Sequence, residues 1–69
     1  MVYQIYWIHL KGGAVVRIPE PYDQEKGLVE AYRQAADTDV LQLGDAAAGF
    51  CYILRKNILF IRTGDVMEV

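Results

Sequence analysis

The chain has 69 residues, of which 54% are hydrophobic, and its formal net charge is −2. A domain of this size buries only about 60% of the surface that its unfolded chain exposes, so its stability margin is thin. Disulfides, metals and oligomerisation are the usual remedies for small domains, and a single cysteine with a single histidine leaves oligomerisation as the one that the composition favours.

The sequence also bears on where the protein resides. No run of residues approaches the ~18 to 20 apolar residues that cross a bilayer, and the first residues lack the features of a signal peptide. One cysteine in an apolar run suits a reducing compartment. We therefore expect a cytoplasmic protein with one domain over residues 1–69, either complete in itself or excised from a longer chain.

The first segment is predicted to form a β-hairpin. Residues 2–10 are rich in strand formers, and residues 15–18 return after a turn at Gly12 and Gly13. Two glycines make a favourable turn because both positions tolerate a positive φ. Pro19 and Pro21 are expected to end the second strand, since proline donates no hydrogen bond to a neighbouring strand.

Residues 22–36 are the only helix candidate in the sequence. Asp23 is the predicted N-cap, and Glu25 lies in the first turn, where a negative charge suits the helix dipole. Gly27 is expected to weaken that turn by up to about 1 kcal/mol. The apolar residues recur with the helical period and share one face: Leu28, Val29, Ala31, Tyr32, Ala35 and Ala36.

The second half of the chain is predicted to be three further strands. Residues 40–43 form the first of them. Residues 50–63 contain two apolar runs around Lys56 and Asn57, a pattern typical of a second hairpin. A two-residue turn with a positive φ at Asn57 is one reading. Beyond these three strands, residues 66–69 are a candidate for a sixth, short strand at the edge of the sheet.

The turn length decides the register of this second hairpin. With a two-residue turn, Leu54 pairs with Leu59 and Ile53 pairs with Phe60. A three-residue turn shifts the register by one residue, and both alternatives stay open. In either register both faces of the hairpin are apolar, because side chains alternate across a strand.

The predicted order of elements is ββαβββ, which indicates an α+β fold with an antiparallel sheet of four or five strands and one helix packed on one face. A helix of about four turns is ~20 to 23 Å long and covers one face at best. The other face is then an exposed apolar surface, which typically marks an interaction site. Its predicted interface residues are Cys51, Ile53, Ile58 and Phe60 at the centre, with Arg55, Arg62 and Trp7 around them.

Catalytic and metal sites are not indicated. His9 and Cys51 are the obvious nucleophile pair, but neither has a nearby orienting group in the sequence, and Cys51 is expected to be a packing residue. Gly12 and Gly13 join two strands, so they do not form a phosphate loop. Four acidic residues are expected to be solvated turn formers because their spacing is not that of a calcium loop: Asp37, Asp39, Asp45 and Asp65. We expect no enzyme, no cofactor, no metal and no small-molecule substrate.

The function that follows is that of a small interaction module, which self-associates or binds another protein through the sheet face opposite the helix. The alternative is single-stranded nucleic-acid binding on the same face, with bases stacked on aromatic residues and phosphates held by cations. The aromatic residues are Tyr3, Trp7 and Phe60, and the cations are Lys11, Arg17, Arg55, Lys56 and Arg62. The pI of about 5.1 disfavours the alternative, since nucleic-acid-binding domains usually carry a basic excess. No motif specifies a known family, and the sequence has the general character of a small bacterial or phage-borne domain.

Overall fold

A computed structural model describes residues 1–22, 27–45 and 49–69. Its elements are β1 (Val2–Leu10), β2 (Val15–Pro21), α1 (Leu28–Gln34), β3 (Val40–Asp45), β4 (Gly49–Leu54), a 3-10 turn (Arg55–Asn57) and β5 (Ile58–Glu68). The predicted ββαβββ order and the α+β class are confirmed. The strands form two antiparallel sheets rather than one: a three-stranded sheet in the order β2–β1–β5, and a two-stranded sheet of β3 and β4.

The first hairpin is confirmed. Gly12 and Gly13 have φ of 95° and 99° in the turn between β1 and β2. The second strand, however, continues through Pro19 and Pro21 instead of ending before them. The backbone N–H of Tyr22 donates to the Val2 carbonyl (2.9 Å), so the even-numbered residues of β2 bond to β1. The two prolines are odd-numbered and their nitrogens face the free edge, where no hydrogen bond is lost.

The predicted hairpin over residues 50–63 is wrong, although both of its strands exist. β4 pairs with β3, with Ile53 opposite Leu41, and β5 pairs with β1, with Ile61 opposite Ile8. The 3-10 turn between them sends the chain from one sheet to the other. Its first residue donates its N–H to the Asp39 carbonyl (2.8 Å), and its last carbonyl accepts from Lys11 (2.8 Å).

The predicted short strand at residues 66–69 is the end of β5, which is a single strand of 11 residues. The pairing of β5 with β1 shifts register twice, between Gln4 and Tyr6 and between His9 and Leu10. Each shift places one extra residue on β5, which is the mark of a β-bulge. Residues 60–63 are the regular stretch between the two bulges.

The helix is shorter than predicted, and its predicted cap at Asp23 and acidic residue Glu25 lie outside the described residues. The carboxylate of Glu20 on β2 accepts the N–H of Leu28 (2.7 Å) at the start of α1. A Cβ at Gly27 would collide with this carboxylate. The glycine that was expected to weaken the first turn therefore makes room for the acceptor that supports it.

The core lies between the three-stranded sheet and the layer formed by α1 and the β3–β4 sheet. Ile8 on the central strand is fully buried. The helix thus shares the task of covering this face with two strands, which the sequence had assigned to the same sheet. The other members of the buried cluster are Ile18, Leu28, Leu41, Leu43, Ile53 and Ile58. Among the described residues, no helix is long and apolar enough to cross a membrane.

Tyr6 makes the folding stability depend on pH in the alkaline range. Burial, followed by the carboxylate of Glu20 and the hydroxyl of Tyr22, raises the pKa of Tyr6 above its usual 10.0. The folded state therefore holds this proton more tightly than the unfolded state, so stability present below pH ~10 is lost as the pH rises toward the folded pKa. We expect Tyr6→Phe to reduce the fall in unfolding free energy above that pH in urea titrations.

Tyr52→Phe is the matched control for this prediction, because the Tyr52 side chain is 65% exposed. We expect the control to keep the alkaline loss of stability of the unmodified protein. An identical pH dependence for Tyr6→Phe and the unmodified protein would contradict the assignment to Tyr6.

Candidate functional site: the uncovered sheet face

One face of the three-stranded sheet has neither α1 nor the β3–β4 sheet packed on it, and we call it the outer face. Even-numbered residues of β1 and β2, such as Ile8 and Ile18, belong to the core, so the odd-numbered residues form this face. The strand registers arrange them in cross-strand rows: Val15–His9–Phe60, Arg17–Trp7–Arg62, Pro19–Ile5 beside the bulge at Gly64, and Pro21–Tyr3–Met67.

In the central row, Trp7 on β1 has an arginine residue opposite it on each neighbouring strand, and the two arginine side chains reach different partners. The Arg62 guanidinium carbon lies 5.7 Å from the centroid of the Trp7 ring. On the other side, Nη2 of Arg17 lies 3.1 Å from Sδ of Met67. Because Met67 lies opposite Tyr3, four residues from Trp7 along β1 and on the opposite edge strand, the Arg17 side chain crosses β1. Ile5, in the row between them, is only 3% exposed.

Gly64 positions the tryptophan. A Cβ at this residue would lie 2.7 Å from Nε1 and 3.0 Å from Cδ1 of Trp7, which is closer than carbon atoms normally approach. The indole ring therefore rests on the backbone of β5 where that strand bulges. Any larger side chain at Gly64 would push the ring away from the sheet.

The end row of the outer face carries an aromatic pair. The rings of His9 and Phe60 are stacked, with centroids 4.2 Å apart and planes at 14°. His9 Nε2 is buried and has no hydrogen-bond partner within the described ranges. Phe60 is 47% exposed and Val15 is 49% exposed, so this end offers an apolar contact surface to solvent.

The predicted interface residues do not stay together. Trp7, Phe60 and Arg62 lie on the outer face, as the sequence indicated. Ile53 and Ile58 are each 6% exposed inside the core, so their predicted place on the uncovered face is wrong. The cause is the change of sheet at the 3-10 turn, which gives β4 and β5 different partners and turns both isoleucines inward.

Cys51 and Arg55 are also away from the outer face. Cys51 is half-buried on β4 opposite Leu43 and packs against the core. Arg55 stacks on the Tyr32 ring at 4.2 Å, and its Nη1 donates to the Asp37 carboxylate at 3.1 Å. Arg55 therefore ties the 3-10 turn to the end of α1 and does not rim the outer face.

The structure does not bring the possible nucleophile pair together. His9 lies on the outer face, whereas Cys51 packs against the core on the opposite side of the three-stranded sheet. Asp39 caps a turn, since its carboxylate accepts the N–H of Ala36 (2.8 Å). Within the described ranges, no group of three or more histidine, cysteine, aspartate or glutamate side chains could hold a metal ion.

A second exposed apolar patch lies on the β3–β4 sheet, and the sequence did not identify it. Val40, Phe50 and Tyr52 are 59%, 46% and 65% exposed. They alternate with the core residues Leu41 and Ile53, so the signal was present as a period of two. The pattern was misinterpreted because β4 was paired with β5 in a single sheet, which placed Phe50 and Tyr52 on the face opposite the predicted interface residues.

The outer face spans three strands, whereas the second patch spans two. The outer face also combines aromatic rings with two arginines. No protein-family model, no curated protein and no solved structure matches this chain.

Proposed function

We propose that the protein is a small, non-catalytic interaction module that binds a protein molecule, either a second copy or a different chain, through the outer face. The observation that supports this most is the exposed apolar side chains around the Arg17–Trp7–Arg62 row, on a face against which no described element packs. Aromatic residues, methionine and arginine are enriched in protein interfaces. A cytoplasmic location fits the free thiol of Cys51 and belongs to the proposal.

The size of the face indicates the class of interaction. Three strands about 4.8 Å apart and ~7 residues long at 3.3 Å per residue give a flat area of about 330 Å². A stable interface of standard size covers ~800 Å² on each partner. The outer face alone therefore suits a weak or transient contact, or one part of a larger interface.

The charges on the face favour a partner with acidic side chains. None of its paired positions holds aspartate or glutamate, whereas Arg17 and Arg62 flank its centre. Two copies in direct face-to-face contact would bring their arginine rows together, and such like-charge contacts oppose binding. A different chain that carries acidic and aliphatic residues is the better complement for this surface.

Single-stranded nucleic acid is the second candidate, because the Arg17–Trp7–Arg62 row could hold phosphates beside an aromatic ring. Two features weaken it. The net charge of the chain is −2, and the rings already stack within the face, with His9 on Phe60 and Arg62 over Trp7. Each of these rings thus has one side occupied before any base arrives.

The test uses three probes: a peptide of alternating valine and glutamate, the same peptide with lysine in place of glutamate, and a short oligothymidylate. We expect the acidic peptide to shift the amide resonances of β1 and β2 on the outer face of the ¹⁵N-labelled protein. Arg17→Glu should weaken this binding about tenfold, because it places a like charge opposite the peptide.

Arg33→Glu is the matched control, since Arg33 is an exposed arginine of α1 and the change in charge is the same. The control should bind the acidic peptide as the unmodified protein does. Equal binding by both variants, or no binding of the acidic peptide, would contradict the proposal. Salt-sensitive binding of the oligothymidylate alone would favour the nucleic-acid candidate instead.

A further inference from the structure

We propose that the free edge of β5 pairs antiparallel with β5 of a second copy of the chain, which joins two three-stranded sheets into one sheet of six strands. This contact uses backbone groups at the sheet edge rather than side chains on the outer face. It therefore does not depend on the proposed binding of another protein.

The hydrogen bonds of β1 show which groups of β5 face outward. The N–H of Lys11 donates to the Asn57 carbonyl (2.8 Å), and the N–H of Val69 donates to the Met1 carbonyl (2.8 Å). Odd-numbered residues of β1 thus bond to β5. The backbone N–H and C=O groups of their partners Phe60 and Arg62 therefore point toward β1. In an antiparallel strand the intervening residues point the other way, so Ile61 and Thr63 direct their N–H and C=O to the edge.

The two edges of the three-stranded sheet differ in their chemistry. On β2 the outward positions include Pro19 and Pro21, which have no N–H to offer an added strand. β5 contains no proline in its 11 residues, and no described strand pairs with its outer side. Pairing of two copies through β5 uses this edge in both and leaves the joined sheet with only its two proline-bearing edges. The joined sheet therefore stops at six strands, as a dimer, and does not grow into a fibre.

Side-chain pairing selects the register. Between the two bulges, three registers with two-fold symmetry bring the outward N–H and C=O groups of the two copies opposite each other. The two-fold axis passes through Ile61, Arg62 or Thr63, and we name each register by that residue. The Arg62 register sets two arginines directly opposite each other, which is destabilising. In the Thr63 register, the bulge at Gly64 interrupts the pairing one residue from the axis. The Ile61 register places Phe60 opposite Arg62 of the second copy on the outer face, and it does so twice.

This dimer also changes the outer face. Because the two sheets become continuous, the outer faces of both copies lie side by side and the flat area doubles from about 330 Å² to about 660 Å². The doubled surface approaches the ~800 Å² that a partner contributes to a standard interface. Dimerisation would also stabilise this small domain by oligomerisation, which is the means that its composition favours.

The experiment measures the mass of the protein by light scattering and sedimentation across a dilution series. We expect the unmodified protein to be a dimer that dissociates on dilution. Thr63→Pro should be monomeric with an unchanged circular dichroism spectrum, because it removes an outward N–H that β1 does not use. Thr63→Val, which keeps that N–H, should remain dimeric.

A second pair of variants tests the register. Phe60→Glu places a carboxylate opposite Arg62 of the second copy, whereas Phe60→Lys places a like charge there. Since two symmetric contacts change, the dissociation constant of Phe60→Lys should be about tenfold higher than that of Phe60→Glu. This difference should shrink at high salt.

Three results would overturn the inference: a monomer at every soluble concentration, a Thr63→Pro dimer as stable as that of Thr63→Val, or equal weakening by Phe60→Glu and Phe60→Lys. The third result would show that Phe60 does not lie opposite Arg62 of the second copy. All three leave the acidic-peptide test at Arg17 unaffected, so failure of the dimer is distinguishable from failure of the proposed function.

Discussion

Replacing Ile8 by alanine is expected to lower the free energy of unfolding by about 2–5 kcal/mol. Ile8 is fully buried, at 0% exposure, on the central strand of the three-stranded sheet. Its removal leaves a cavity beneath α1 and the β3–β4 sheet that a small core fills poorly. At ~0.05–0.15 kcal/mol per residue, a chain of this length has only about 3–10 kcal/mol of stability. The variant should therefore lose a large share of its folded population.

The measurement is urea unfolding followed by circular dichroism, with Leu59→Ala as the control. Leu59→Ala also removes three carbon atoms, but Leu59 is 59% exposed on β5. We expect the control to change the unfolding free energy by less than about 1 kcal/mol. Similar losses in both variants would show that β1 is not the centre of the core.

Gly44→Ala is expected to cost about 2–4 kcal/mol, from backbone strain and from a collision across the β3–β4 sheet. Gly44 has a φ of 106°, where residues with a Cβ are strained. A Cβ at Gly44 would also meet the carbonyl oxygen of Gly49 on the partner strand. A backbone atom of a paired strand moves less easily than a flexible side chain.

Gly49→Ala separates these two causes. Gly49 has a φ of 96°, but a Cβ there would have no atom of the described residues within 4 Å. It should show only the strain, so thermal unfolding should rank the unmodified protein above Gly49→Ala and Gly49→Ala above Gly44→Ala. If both variants melt together, the collision at Gly44 contributes nothing and the strand pairing there differs from the structure.

The elements of this fold could be predicted from local patterns, because each depends on residues close together in the chain. The first hairpin followed from Gly12 and Gly13, whose positive φ values the turn requires. The strands at residues 40–43 and 50–54 followed from their apolar composition. The start of α1 did not follow, because its capping carboxylate, Glu20, comes from a strand that precedes the helix by eight residues.

The partners of β4 and β5 depended on information that local patterns do not contain. Both runs are apolar on both faces, so the alternation permits several pairings equally well. The turn between them resembles a hairpin turn in its polarity. In the described residues, however, only glycines have a positive φ, so Asn57 does not adopt the turn conformation that a hairpin would need.

The candidate site could be predicted only in part, because it also depends on which strands pair. Trp7, Phe60 and Arg62 were assigned to the uncovered face because their strands alternate regularly. Ile53 and Ile58 were assigned to it through the wrong pairing. The contact of Arg17 with Met67 across β1 could not be predicted, because it joins residues 50 positions apart.

Hydroxyl-radical footprinting of the dilute protein, with and without the acidic peptide, tests the central claim that the outer face is uncovered and able to bind. We predict that Phe60 and Met67 react readily in the free protein and are protected by the peptide, while Tyr52 on the β3–β4 sheet reacts equally in both. Protection of Phe60 and Met67 in the free dilute protein, or protection of Tyr52 alone when the peptide is added, would contradict the account.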